Sequence, residues 1–196
     1  MRAQGFLGRL CAGLAILAVL PLPAQADLSG LARIAPEIEP SAHITANRTT
    51  LAPFSYILFC QRQPGECRGG VEATIAWDLH ARMRLARINR RVNRLMLPQH
   101  DKADVWSVGM AAGDCEDFAL TKRHLLIRAG FPAASLQMAV TRIRSGEGHA
   151  VLVVRTSRGD LVLDSRNDRL TEWHRTDLTW LKIASSENPR LWYAMN

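Results

Sequence analysis

The hydrophobic period of this chain changes once, and the change decides what it can fold into. Phe118, Leu125, Leu126 and Ala129 recur as one face of a helix, and Gly130-Phe131-Pro132 ends it with a C-cap glycine and a breaker. After that the period is two. Leu136, Met138, Val140 and Ile143-Arg144 read as one strand, His149 to Arg155 as the next and Leu161 to Asp164 as a third. Ser157-Arg158-Gly159-Asp160 supplies a turn between the last two. Upstream, residues 71–97 predict a long helix: Ile75, Leu79, Met83, Ala86, Val92, Leu95 and Met96 keep helical spacing until Pro98 stops it. Two helices followed by antiparallel strands make an α+β domain. Residues 27–70, broken by Pro36, Pro40, Pro53 and Pro64, read as an extended arm with a short helical turn. Trp173, Trp180 and Trp192 are expected to pack a C-terminal tail on the sheet.

A length of 196 residues suggests one domain. With 47% apolar and 22% charged residues the composition is globular, which argues against disorder. The first stretch reads as a leader rather than as part of the fold. Arg2 and Arg9 precede an apolar run from Leu10 to Leu20, Pro21-Leu22-Pro23 ends it, and Ala24-Gln25-Ala26 offers small residues for cleavage. The run is too short for a membrane span of about 20 residues. The expectation is a signal peptide over 1–26, a mature domain over 27–196 starting at Asp27, and no stable membrane insertion after cleavage. Losing Arg2 and Arg9 lowers the formal charge from +7 to +5. Much of the remaining excess lies between Arg82 and Arg94, six arginines without an acid, which reads as the solvated face of a helix rather than a nucleic-acid site.

An exported chain meets oxidising conditions, and 27–196 holds three cysteines. Cys60 and Cys67, with Pro64-Gly65 to turn the chain between them, predict a disulfide. Cys115 is left as a free thiol. It begins a helix just after Gly113-Asp114, a turn and N-cap, where unpaired N–H groups and the helix dipole favour a thiolate and could later hold an oxyanion. A nucleophilic cysteine needs a base, and the base an orienting group. His149 opens a strand after Ser145-Gly146-Glu147-Gly148, and Asp164 ends the next strand on the same face by two-residue parity. If Thr156 pairs with Leu161, Asp164 lies opposite Val153, about 13 Å along the strand from His149. A longer turn, a bulge or a bend is then needed to bring the two together.

Gly113-Asp114-Cys115-Glu116-Asp117-Phe118-Ala119, Lys122-Arg123, Gly148-His149-Ala150-Val151-Leu152 and Val162-Leu163-Asp164 together resemble the bacterial transglutaminase-like cysteine peptidases, a group that includes the periplasmic LapG proteases. Residues 87–93, Asp104-Val105-Trp106, the Cys60/Cys67 pair and 188–192 extend the resemblance over nearly all of 27–196. It implies a transglutaminase/papain-like core with the nucleophile helix packed on an antiparallel β-sheet. It also implies Cys115 as nucleophile, His149 as base, Asp164 as orienting acid, and a calcium site at Asp114, Glu116 and Asp117. Oxygen donors of that kind suit calcium, which would offset the effect of three acids on the thiolate. The implied partners are a protein substrate, such as a large surface adhesin, and an inner-membrane regulatory receptor. The pattern departs from LapG-type members in lacking Thr-Pro-x-Glu, in the short spacer 107–112, and in Ser165 after Asp164. A transglutaminase-type acyl transferase shares the same nucleophile. A binding module with a vestigial triad is the non-enzymatic alternative, and thiol reactivity at Cys115 separates it from an enzyme.

Overall fold

The computed structural model describes residues 43–45, 47–71, 74–100 and 103–195. The leader over 1–26, Asp27, Pro36 and Pro40 lie outside the described residues. Those described belong to one unit, Glu39–Asn196. No helix among them is long and apolar enough to cross a membrane.

After a short strand β1 (Thr49–Thr50), the helical turn expected in the N-terminal arm is a full helix, α1 (Phe54–Arg62), followed by a 3-10 turn over Pro64–Cys67. The predicted disulfide joins them, Cys60 to Cys67, with a Cα–Cα distance of 5.5 Å. The second helix, α2 (Leu79–Leu95), starts eight residues later than its apolar pattern suggests. Ile75 is claimed instead by a parallel bridge to Thr156, and Asp78 caps the helix by accepting from Ala81 N at 2.7 Å. Its outer face carries exposed Arg82, Arg87, Arg90, Arg91 and Arg94, as the sequence predicts. Arg84 turns inward, over the Phe131 ring and onto Ala129 O.

Strands β2 (Leu97–Pro98) and β3 (Ala112–Gly113) pair in parallel and lead into α3 (Cys115–Arg128). The end of α3 follows its sequence signal closely. Gly130 sits at φ 89°, its N–H donates to Ile127 O, and Phe131 N–H donates to Leu126 O, the paired bonds of a Schellman cap. The rest of the chain builds the sheet: β4 (Leu136–Arg142), β5 (Gly148–Thr156), β6 (Gly159–Leu163), β7 (Leu170–Glu172), β8 (Thr179–Ala184) and β9 (Trp192–Ala194). The seven-stranded order is β1-β9-β8-β4-β5-β6-β7, antiparallel throughout. The tail therefore does more than pack on the sheet, since it supplies three of its strands.

Both faces of β5 are buried. Leu152 and Val154 face the cluster containing Phe118, Leu126 and Leu85, while Val151 and Val153 join Val162, Leu178 and Ile183, with Trp173 and Trp180 against them. This double cover explains the unbroken apolar run Ala150–Val154. α3 is enclosed too, being buried from Glu116 through Arg123.

The β5–β6 register corrects one expectation. Thr156 pairs with Gly159, not Leu161, so Gly159 and Asp160 belong to the strand and the turn is tighter than the sequence reading allows. Leu152 faces Leu163, and one residue further Asp164 stands across from Val151. That is two residues from His149, about 7 Å of strand rather than 13 Å. A shorter turn, not a longer one, closes the gap.

Candidate active site

Cys115, His149 and Asp164 come from three pieces of the core: the first residue of α3, the second of β5 and the residue just past β6. His149 and Asp164 are buried side by side, with Nε2 to Oδ1 at 2.8 Å. An ionised carboxylate only accepts, so the Nε2 proton is donated to Asp164 and Nδ1 is left as the basic nitrogen. The Cys115 sulfur accepts from Ala150 N–H at 3.3 Å, which sets it at the backbone step directly after His149. Cys115 and His149 line one cleft of about 330 Å³ together with Asn93, Gln99, Glu147 and Arg166. Among the described residues Cys115 is the free cysteine.

Asp164 is held from every side. Burial favours its neutral form, but hydrogen bonds from His149 and from Arg166 outweigh this and keep the carboxyl well below the usual carboxylate range. Arg166 donates through Nε (2.9 Å) and Nη2 (2.8 Å) to Oδ2, and through its backbone N (2.9 Å) to Oδ1. It also bonds Asp177, which fixes the guanidinium. Asn93 Nδ2 donates to the Asp164 carbonyl at 3.1 Å. Sequence reasoning missed Arg166, Asp177 and Asn93. Only Arg166 left a local trace, two residues after an aspartate in a turn, where such side chains commonly accept from the backbone.

The nucleophile side differs from the expectation. Burial pushes the Cys115 thiol up to about 12, and Glu116 and Asp114 add to the rise against the opposing Ala150 N–H. The thiol donates to Glu116 Oε2 at 3.2 Å. Glu116 itself is raised to about 8 by burial and by a hydrogen bond shared with Asp114. Burial and the two acids thus oppose what the helix start favours at this thiol. Asp114 occupies the N-cap position with extended backbone, yet its side chain accepts no cap bond, which corrects the reading of its side chain as a helix cap.

These acids bear on the expected calcium site. One Asp114 oxygen is buried without a hydrogen-bond partner, and the two carboxyls of Asp114 and Glu116 meet closely enough to share a proton. That pair suits a hard cation, which would replace the shared proton. Asp117 is drawn elsewhere: its Oδ1 accepts from Ser107 N at 2.6 Å, and it packs on Gly113 so tightly that a Cβ there would collide with it. Among the described residues no three His, Cys, Asp or Glu side chains form a metal-holding group.

With this geometry the comparisons agree. The family model for bacterial transglutaminase-like cysteine proteinases matches residues 46–196. Calcium-bound LapG of Legionella pneumophila is similar in structure, at 25% identity over 59% of this chain and 70% of that one, with a TM-score of 0.52. An EGTA-treated form of LapG from the same organism matches at 23% identity, 59% and 68% coverage, and a TM-score of 0.49. No curated protein matches the chain. The match over 46–196, running through Cys115, His149 and Asp164, means that the chain belongs to the bacterial transglutaminase-like cysteine proteinases and is a cysteine peptidase.

Proposed function

We propose that this peptidase is exported, and that it hydrolyses peptide bonds of another exported or surface protein with Cys115 as nucleophile, His149 as base and Asp164 as orienting acid. The observation that carries the reading is the 2.8 Å His149–Asp164 bond beside a sulfur that already touches the Ala150 amide. His149 Nδ1 takes the thiol proton as sulfur attacks the scissile carbonyl carbon. The oxyanion lies against unpaired N–H groups of the first turn of α3. The C–N bond then breaks, with the proton passing from His149 to the leaving amine. Water, deprotonated by His149, attacks the thioester and releases the acid, and the proton returns to sulfur. Asp164 keeps the imidazole in one tautomer throughout.

Calcium at Asp114 and Glu116, with Asp117 bracing the loop, would lower the local negative charge that opposes thiolate formation. The calcium-bound state of the similar LapG structure supports such a site. A large adhesin as substrate and an inner-membrane receptor as regulator follow from the resemblance. Mass spectrometry of shed and cell-retained proteins, from cells with the wild-type chain and with Cys115→Ala, tests the reading. A surface protein retained in the Cys115→Ala cells and shed with a new N-terminus in the wild type is expected. Identical profiles would defeat it. Hydrolysis rather than amine transfer is checked by adding a lysine analogue and looking for its conjugate.

A further inference from the structure

The chemistry above leaves the outer face of α2 unused. Leu79, Met83, Arg87, Arg90 and Arg94 follow one another by three or four residues, so they stack into one stripe along the helix. The opposite stripe, Ala81, Leu85, Ile88 and Val92, is buried in the core. The outer stripe therefore faces away from the protein, and all five of its side chains are exposed. Two of them are large and apolar, Leu79 at 71% and Met83 at 61% exposure. They occupy the first turns of the helix, and the arginines of the stripe follow them.

A helix face stabilised by water alone would gain from acids three or four residues from these arginines, where opposite charges attract. α2 has no acid between Leu79 and Leu95. Like charges stand there instead: Arg87 is three and four residues from Arg90 and Arg91, and Arg94 is three and four from Arg91 and Arg90. Among the described residues Arg82, Arg87, Arg90 and Arg91 enter no ion pair, and Arg94 reaches Asp168 only at 3.7 Å with both side chains exposed. The repulsion within this cluster falls when an anionic surface lies against it. Charge alone fits any polyanion, but Leu79 and Met83 narrow the choice. A nucleic-acid phosphate backbone gives these two side chains no apolar place to leave water. A bilayer with anionic headgroups takes both kinds, guanidinium groups at the phosphates and apolar side chains at the acyl boundary.

We propose that the outer stripe of α2 is a peripheral docking face for a membrane rich in anionic phospholipid. Arg87, Arg90 and Arg94, with Arg91 beside them, engage the phosphates, and Leu79 and Met83 enter the headgroup boundary. No described helix spans the bilayer. Asn93, near the C-terminal end of the same helix, lines the cleft of Cys115 and His149, so docking holds that cleft close to the membrane surface. The assignment does not depend on the triad.

Flotation of the purified chain with vesicles tests it. Wild type should partition onto phosphatidylcholine vesicles holding about a third phosphatidylglycerol, should not partition onto pure phosphatidylcholine, and should come off as salt rises. Arg87→Gln combined with Arg90→Gln should weaken partition about thirtyfold. Leu79→Ser combined with Met83→Ser should weaken it about tenfold. All four side chains are exposed, so melting temperatures should hold. A local readout separates α2 from any other membrane contact of the chain. Peroxide converts exposed Met83 to its sulfoxide, and the anionic vesicles should slow this about fivefold. Met110, exposed at 53% in the loop between β2 and β3, is the standard and should not slow. Met83 oxidising equally fast with and without the anionic vesicles would overturn the proposal, as would wild-type partition in both double variants. Loss of partition in the arginine variant alone would also overturn it, marking a general polyanion face in place of a membrane one.

Discussion

The two walls of the cleft are built on opposite electrostatic terms. On the sheet side, Asp164 is answered by His149, Arg166 and the carbonyl-holding Asn93, and Arg166 is answered in turn by Asp177. On the helix side, Asp114 and Glu116 crowd Cys115, and among the described residues neither enters an ion pair. The His149 ring is therefore oriented by the chain alone. At Cys115, by contrast, burial and two acids favour the thiol over the thiolate. The difference teaches where an external cation would have its effect: on the reactivity of Cys115, and little on the alignment of His149.

The largest expected effect breaks the finished side. Asp164→Asn keeps the size of the side chain but offers His149 an amide, so the wrong tautomer is stabilised. A loss of about 10³–10⁴ in kcat is expected, by analogy with the same change in a serine triad. Fold damage should be moderate because Arg166 is partly exposed and keeps Asp177. Steady-state kinetics alongside thermal melts check this. A variant with near-normal kcat would mean that Asp164 does not orient the base.

The second effect sharpens the unfinished side. If calcium binds Asp114 and Glu116, saturating it to about 100 Kd stabilises by about 2.7 kcal/mol. For a domain of this size that raises the melting temperature by roughly 5–10 °C. Alkylation of Cys115 by iodoacetamide should quicken with it, whereas the His149 ring resonances should barely move. EGTA should reverse both changes, and magnesium should substitute poorly because it demands tighter octahedral geometry. Glu116→Ala should abolish the calcium-dependent melt shift; an undiminished shift in that variant would remove these acids from the site.

A third effect follows from proton linkage on the sheet side. The folded-state pKa of Asp164 is depressed, so its contribution is fully present above the unfolded value near 4 and is lost as pH falls further toward the folded value. Wild-type melting temperature should fall more steeply between about pH 4 and pH 2 than that of Asp164→Asn, which has no carboxyl to protonate. Parallel curves would show that Asp164 is not the group paid attention to by acid.

How much of this was legible in sequence follows from which forces are local. The end of α3 was legible because a glycine at positive φ and the proline after Phe131 act within five residues. So was the Cys60–Cys67 bridge. The His149–Asp164 pairing survived a wrong register because a slip of two residues preserves side-chain parity, and only the distance was misjudged. The strands at Leu170–Glu172, Thr179–Ala184 and Trp192–Ala194 were not legible as sheet members. Thr179–Ala184 pairs with Leu136–Arg142 far upstream, and three-residue strands such as Leu170–Glu172 and Trp192–Ala194 carry too little periodicity to read. Arg166–Asp177 and the asparagine contacts from α2 were invisible for the same reason. The place of Cys115 at the start of α3 and the acids beside it were legible, but the burial that favours the thiol was not. Dipole arguments count the helix, but burial and the acids beside it depend on everything packed around them.

The smallest expected effect is the most discriminating about that helix start. An aspartate that caps a helix loses about 1 kcal/mol when replaced by alanine. Asp114 sits in the cap position but makes no cap bond, and one of its oxygens is buried without a partner. In EGTA, Asp114→Ala should therefore cost less than about 0.5 kcal/mol, a change near the limit of thermal or urea melts. In calcium the same variant should lose the metal's stabilisation. The gap between wild type and variant should thus open only when calcium is added. Asp78→Ala on α2 is the internal standard, because that aspartate does accept from Ala81 N at 2.7 Å and should cost about 1 kcal/mol with or without calcium. If Asp114→Ala matches Asp78→Ala in EGTA, Asp114 is an ordinary cap and the contrast between the two walls of the cleft is weaker than drawn. If it is silent in EGTA and costly in calcium, Asp114 is held in an uncapped, underbonded position for the cation.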